Sequence, residues 1–247
     1  GKDYFLHFQK KGAYGRISHL QPMEWEDGWP IIGKRVSGEN YGEPVEGGVL
    51  PQASLPISLQ ASDDFSGETL SLIWQWLGNP IEGAYALEEG LRLYALNQDQ
   101  ATEFSLWQKS NVLTQKIIAP SYRIEVQVDT GALEGESTAG LAMIGATYMR
   151  LGVEKNKLVL AHAEYNGLEE VKDWVPYDGQ ALVMGMELLP IENTLRAKFF
   201  YRLESSERYF IGEPLELLGN MWTGAKPSLY AIGKGEDFAG YARFRNH

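Results

Sequence analysis

Between Asn111 and Glu164 the order of apolar and polar residues predicts the backbone directly. Tyr122, Ile124, Val126 and Val128 take turns with Arg123, Glu125, Gln127 and Asp129, the two-residue period of a strand with one dry face and one wet one. A dry face needs a second sheet to cover it. The next run, Leu141, Met143, Ile144, Ala146 and Tyr148, is apolar on both parities and predicts one strand buried on both sides. Further along, Leu195, Ala197, Phe199 and Tyr201 face one way while Arg196, Lys198 and Arg202 face the other, and LSLIWQWLG at 70–78 sets Leu70, Leu72, Trp74 and Trp76 on one face. Short strands of this kind recur from Ser62 to the end, separated by turn signals and with no capped helical period. The class this predicts is an all-β sandwich, and the strand count suits a jelly-roll better than an immunoglobulin domain of about 100 residues.

The first part of the chain has a different texture. YFLHFQ and GRISHLQPM are two strand candidates around the turn KKGAYG, and together they predict a β-hairpin. In WEDGWPIIG at 25–33, Asp27-Gly28 is a turn signal and Trp29-Pro30 forces extended backbone. Residues 37–61 are rich in Gly, Pro and Ser, lack periodicity, and read as a linker laid over a surface.

Composition narrows the function classes. The 247 residues are enough for one large all-β domain or a domain plus a fragment, and the formal charge of −11 argues against a nucleic-acid partner. No run approaches the roughly 18 apolar residues that a bilayer span takes, and no signal-peptide pattern opens the chain, so no membrane association is expected. Cysteine is absent, which excludes a disulfide scaffold and thiolate chemistry. Seven Trp and thirteen Tyr suit either a thick β core or a sugar-stacking surface, with core the commoner use.

Five segments carry a family resemblance. HFQKKGAYGRISHLQPMEWEDGWPIIG at 7–33 is similar to the end of the five-bladed propeller of glycoside hydrolase family 43, the β-xylosidase and α-L-arabinofuranosidase group. SDDFSG at 62–67, WQW at 74–76, NVLTQK at 111–116 and GYARF at 240–244 resemble the concanavalin A-like sandwich that follows the propeller in many of these enzymes. The resemblance implies three parts: 1–36 as the closing segment of a propeller catalytic domain, 37–61 as the linker, and 62–247 as the concanavalin A-like β-sandwich. It also implies that the catalytic acid, base and orienting carboxylate of an inverting glycosidase lie on blades outside this chain. The expected partners are a xylo- or arabino-oligosaccharide and the remainder of the propeller. A stand-alone carbohydrate-binding module is the alternative.

Site candidates follow from the same resemblance. Arg16 sits where a guanidinium can reach sugar hydroxyls, and as a lone residue it reads equally as an edge-strand cation in solvent. Trp25 and Trp29 flank the acidic turn and could stack on a sugar or pack the arm against the sandwich. His19, three residues past Arg16 and so on the opposite strand face, is a positional candidate for metal, against the commoner structural histidine. Asp63 and Asp64 resemble part of a structural calcium site, with Asp237 as a substitute ligand because Arg243 and Arg245 stand where acidic residues are expected. The sandwich itself shows no E-x-D-x-E cluster, G-x-S-x-G elbow, phosphate loop or H-E-x-x-H.

Overall fold

The structure, a computed structural model, describes residues 2–48, 59–96, 104–109, 111–165, 167–179, 182–192, 194–203, 207–220, 222–233 and 238–246. They form two compact units, one drawn from 1–11 and 16–59 and the other from 12–15 and 60–247. Among the described residues the only helical turns are short 3-10 segments at Gly12–Tyr14 and Leu106–Gln108.

In the first unit β1 (Asp3–Lys10), β2 (Arg16–Glu26) and β3 (Trp29–Ile32) make an antiparallel three-stranded sheet. The hairpin expected around KKGAYG is there, in a register that sets Lys10 against Arg16 and Asp3 against Met23. Asp27 and Gly28 turn the chain into β3 with φ of 48° and 79°, as the Asp-Gly signal requires. Two short strands, β4 (Lys34–Arg35) and β5 (Gly42–Glu43), pair with each other, so the start of the stretch read as a linker holds a small hairpin. Gln21 pins the chain just past β5: its amide donates to the Val45 carbonyl at 3.1 Å and accepts from the Val45 N–H at 2.8 Å, taking the place of a neighbouring strand.

The second unit is the sandwich. Its strands are β6 (Gln75–Trp76), β7 (Tyr85–Leu87), β8 (Leu91–Leu96), β9 (Val112–Thr114), β10 (Tyr122–Leu133), β11 (Thr138–Ile144), β12 (Tyr148–Glu154) and β13 (Lys157–Ala163). The series continues with β14 (Glu169–Pro176), β15 (Leu182–Ile191), β16 (Thr194–Arg202), β17 (Tyr209–Phe210), β18 (Leu215–Leu217), β19 (Lys226–Ile232) and β20 (Phe238–Arg245). The pairing path is β14-β13-β12-β11-β19-β8-β20-β10-β15-β16-β17. One half of this path packs on the other, and Val126, Leu141, Leu151, Leu160, Met184, Leu229 and Phe244 meet in a common core. The alternation read in 122–129 holds, with Val126 and Val128 buried and the charged positions facing out.

Two expectations need correction. The run Leu141–Tyr148 is not one strand: the chain reverses at Gly145 and continues as β12, and both strands are buried on both faces because a second layer of residues covers the outer side. In LSLIWQWLG only Gln75–Trp76 is a strand, and Leu72 is 99% exposed while Leu70, Trp74 and Trp76 pack on the core. A turn at Leu72–Ile73, closed by the Trp74 N–H on the Ser71 carbonyl at 3.1 Å, breaks the alternation.

Among the described residues the two halves of the path join through one parallel pair, Ile232 with Leu96. Asn111 closes this seam. Its buried amide donates to the carbonyls of Tyr94 in β8 and of Ala231 in β19, at 3.0 Å for the latter, so the Asn of NVLTQK does what a missing ladder bond would.

The segment 12–15, between β1 and β2, belongs to the sandwich unit. Ala13 is fully buried in the sandwich core, its carbonyl accepts the Ala225 N–H at 2.7 Å, and Gly15 bridges to Thr223. Gly15 has φ of +80° and a Cβ there would lie 2.3 Å from the Gly224 nitrogen. Gly15→Ala is therefore expected to destabilise the sandwich by about 1–3 kcal/mol. Gly28→Ala, with a similar φ and nothing within 4 Å, carries the backbone cost alone. Urea midpoints of the two variants check this, and equal losses would show that the close approach to Gly224 contributes nothing.

Candidate functional site

The three-stranded sheet holds Arg16, His19, Trp25 and Trp29, and the register decides which of them share a face. Counting by twos along β2 puts His19, Gln21, Met23 and Trp25 on one side and Arg16 on the other. Trp29 pairs with Glu26 and so joins the Arg16 side. The two tryptophans therefore do not form one platform. Both are well exposed, at 57% for Trp25 and 65% for Trp29.

On the Arg16 side the guanidinium lies 4.2 Å above the Phe8 ring, a cation-π contact that aims the side chain along the sheet. On the other side Phe5, His7 and His19 stack in a row, with ring centroids 5.5 and 5.3 Å apart. His7 and His19 are direct cross-strand partners, a proximity invisible in their separation along the chain. No third ligand joins them: among the described residues no group of three or more His, Asp or Glu is placed to hold a metal. Of these rings His19 lines a cleft of about 890 Å³, with Gln21, Trp25 and residues 45–48.

Asp63 and Asp64 shape a loop. Asp63 accepts the Phe65 N–H at 2.9 Å on one oxygen and the Trp74 indole N–H at 2.8 Å on the other. Phe65, at φ of 57°, stacks on Trp74 with centroids 5.6 Å apart, so the motif fastens the sandwich's opening loop to its core. Asp64 accepts the N–H and hydroxyl of Ser66, whose bonds hold its carboxyl below the usual range. Calcium takes six to eight oxygens, from carbonyls as well as carboxylates, and among the described residues Asp63 and Asp64 are not joined by a third acidic or histidine side chain. The remaining candidate, Asp237, lies outside the described residues.

A polar cluster that sequence reading missed lies on the outer face of β11, β12 and β19. Arg150 is buried, and all five of its N–H groups are used. Nε meets Glu169 at 2.7 Å, one terminal nitrogen meets Tyr230 and Thr138 at 3.2 and 3.4 Å, and the other meets Glu154 and Glu169 at 2.5 Å each. Burial opposes the cation, but Tyr230, Glu169 and Glu154 more than offset it and hold its pKa above the ordinary value. Burial, reinforced by the Glu169 carboxylate, raises the Tyr148 hydroxyl that donates to Glu169 at 2.8 Å. Gly152 makes room, since a Cβ there would fall 1.9 Å from the Tyr230 hydroxyl. The one signal in the sequence was a lone Arg inside an otherwise apolar run, YMRLGV.

This cluster is structural, because every donor is engaged inside the protein. Arg150→Ala is expected to cost about 3–5 kcal/mol by leaving Glu169 enclosed without its cation. Removing both charges, as Arg150→Met with Glu169→Leu, is expected to cost less than Arg150→Ala alone. Chemical denaturation of the parent and the two variants decides it, and a double variant at least as unstable as Arg150→Ala would rule the coupling out.

The family described as beta xylosidase C-terminal concanavalin A-like domain matches residues 62–246. A putative beta-xylosidase of Xylanibacter ruminicola is 28% identical over 229 residues, covering 92% of this chain and 41% of that protein. A beta-xylosidase of Formosa agariphila is 26% identical over 248 residues, with the same 92% and 41% coverage. Among solved structures, a bifunctional GH43-CE protein of Bacteroides eggerthii superposes with a TM-score of 0.79 at 29% identity, covering 99% of this chain and 32% of that one. The chain thus spans about two fifths of the length of the curated relatives it matches.

Proposed function

The chain belongs to the family of β-xylosidase C-terminal concanavalin A-like domains, and we propose that it is the accessory part of a glycoside hydrolase acting on xylosides or arabinosides. In this reading the sandwich holds the closing strands of a β-propeller, and the catalytic carboxylates stand on blades outside the chain. The observation that carries it is the three-stranded sheet. Phe5 and Ile17 on one face, and Leu6, Phe8 and Leu20 on the other, are all exposed, at 38% to 70%. Apolar side chains on both faces of a sheet this small need protein on both sides. Neighbouring strands of a blade and the adjoining blade supply that cover in a propeller.

The buried turn 12–15 gives the buttress a physical form. A hairpin whose tip is part of the sandwich core, as Ala13 is, stays attached wherever its two strands are placed. Arg16 begins the strand that leaves this tip, and its fixed direction over Phe8 suits a donor to sugar hydroxyls. Trp29 shares that face, whereas Trp25 lines the opposite cleft with His19.

The 247-residue chain by itself is expected to hydrolyse neither aryl xylosides nor aryl arabinofuranosides, while the protein carrying the upstream blades hydrolyses at least one. Turnover by the isolated chain would sink this reading. In the longer protein Arg16→Lys is expected to lower kcat/KM by about tenfold or more without shifting Tm, because an ammonium cannot reproduce the guanidinium fork. An unchanged kcat/KM would remove Arg16 from the sugar site.

A further inference from the structure

We propose that the cleft bounded by Phe104, Trp107 and Tyr165 on the sandwich is a binding site for a neutral saccharide chain; this rests on the glycosidase reading above. The cleft measures about 480 Å³, within the range of roughly 300–1,000 Å³ typical of small-molecule sites. Its chemistry is selective. Three aromatic rings are joined by the hydroxyl of Ser105 and the amides of Gln108 and Asn220, and no charged side chain is among the described residues that line it.

That neutrality is unusual on this protein, whose formal charge is −11. Just across Phe104 a second cleft of about 470 Å³ is lined by Glu136, Arg150, Glu154, Lys155, Lys157 and Glu169, all ionisable. An anionic ligand would find no cation in the first cleft, a cationic one no carboxylate, and a purely apolar one would bury amides without partners. A polyol with C–H faces and hydroxyl edges satisfies both kinds of wall.

The platform is also held in place before any ligand arrives. The Trp107 indole donates to the Gly145 carbonyl at 2.8 Å and stands edge-on against buried Tyr148, centroids 4.7 Å apart. Leu106, beside it, is fully buried among Val112, Ala142, Ile144 and Tyr230. Phe104 lies 4.8 Å from the Arg150 guanidinium. Rings fixed in this way lose little freedom when a sugar stacks on them. Tyr165, 70% exposed, completes the rim with Gln108 and Asn220, both exposed.

Calorimetric titration of the 247-residue chain with xylohexaose and with an arabinan oligomer tests the site. Saturable binding to at least one is expected, weakened about five- to tenfold by Tyr165→Ala and less by Gln108→Ala, both exposed positions where folding is not at stake. Oligogalacturonate, being anionic, is expected not to bind, and Trp174→Ala, at another exposed aromatic of the same sandwich, is expected to change nothing. No binding of either neutral oligomer, or unchanged affinity in Tyr165→Ala, would overturn the proposal. If the longer protein still turned over aryl glycosides in that case, the glycosidase reading would stand without the cleft. Binding by the chain combined with an inert longer protein would overturn that reading and leave the cleft.

Discussion

The sandwich depends on how its two halves are joined. Among the described residues one parallel pair, Ile232 with Leu96, connects β19 to β8, and a single pair is little to hold two sheets in register. Asn111 makes up the difference by bridging the carbonyls of Tyr94 and Ala231 from a fully enclosed position. Buried carbonyls left unmatched at that corner would each cost about 1–3 kcal/mol, so the amide stands in for two backbone donors. Core residues from both halves, among them Leu93 and Val128 on one side and Leu141 and Leu229 on the other, meet only because the corner closes.

The same device recurs elsewhere. Gln21 replaces a strand for Val45, Asp63 replaces a turn donor's partner for Phe65 and Trp74, and the Ala13 carbonyl takes the Ala225 N–H. At Val45 and Phe65 a polar side chain serves backbone that regular pairing leaves over. Residues that resemble site candidates in the sequence also serve as fastenings. The acidic pair at the head of the sandwich is the clearest example, with both Asp63 oxygens occupied by N–H donors.

Chemistry is distributed unevenly between the two units. The sandwich commits its buried Arg150 to Glu154 and Glu169. The three-stranded sheet is the reverse, with a directed guanidinium, two stacked imidazoles and exposed aromatics on faces that lack a core of their own. Stability therefore resides in one part and unsatisfied surface in the other, the division expected of a support and the thing it supports.

The sequence by itself determined the all-β class, the dry and wet faces of 122–129 and 195–202, the hairpin at the start and its Asp-Gly turn, because each follows from a local period or a local dihedral demand. Family likeness was legible in the ordered stretch at 7–33 and in the weaker motifs after it. Only the tertiary structure decided that Trp25 and Trp29 part company, since that depends on the register of β3 against β2. It alone brought His7 to His19, Asn111 to Ala231 and Arg150 to Glu169, pairs whose meeting is set by strand order across the sheet. A period says which way a side chain points; what it points at is chosen by the neighbouring strand.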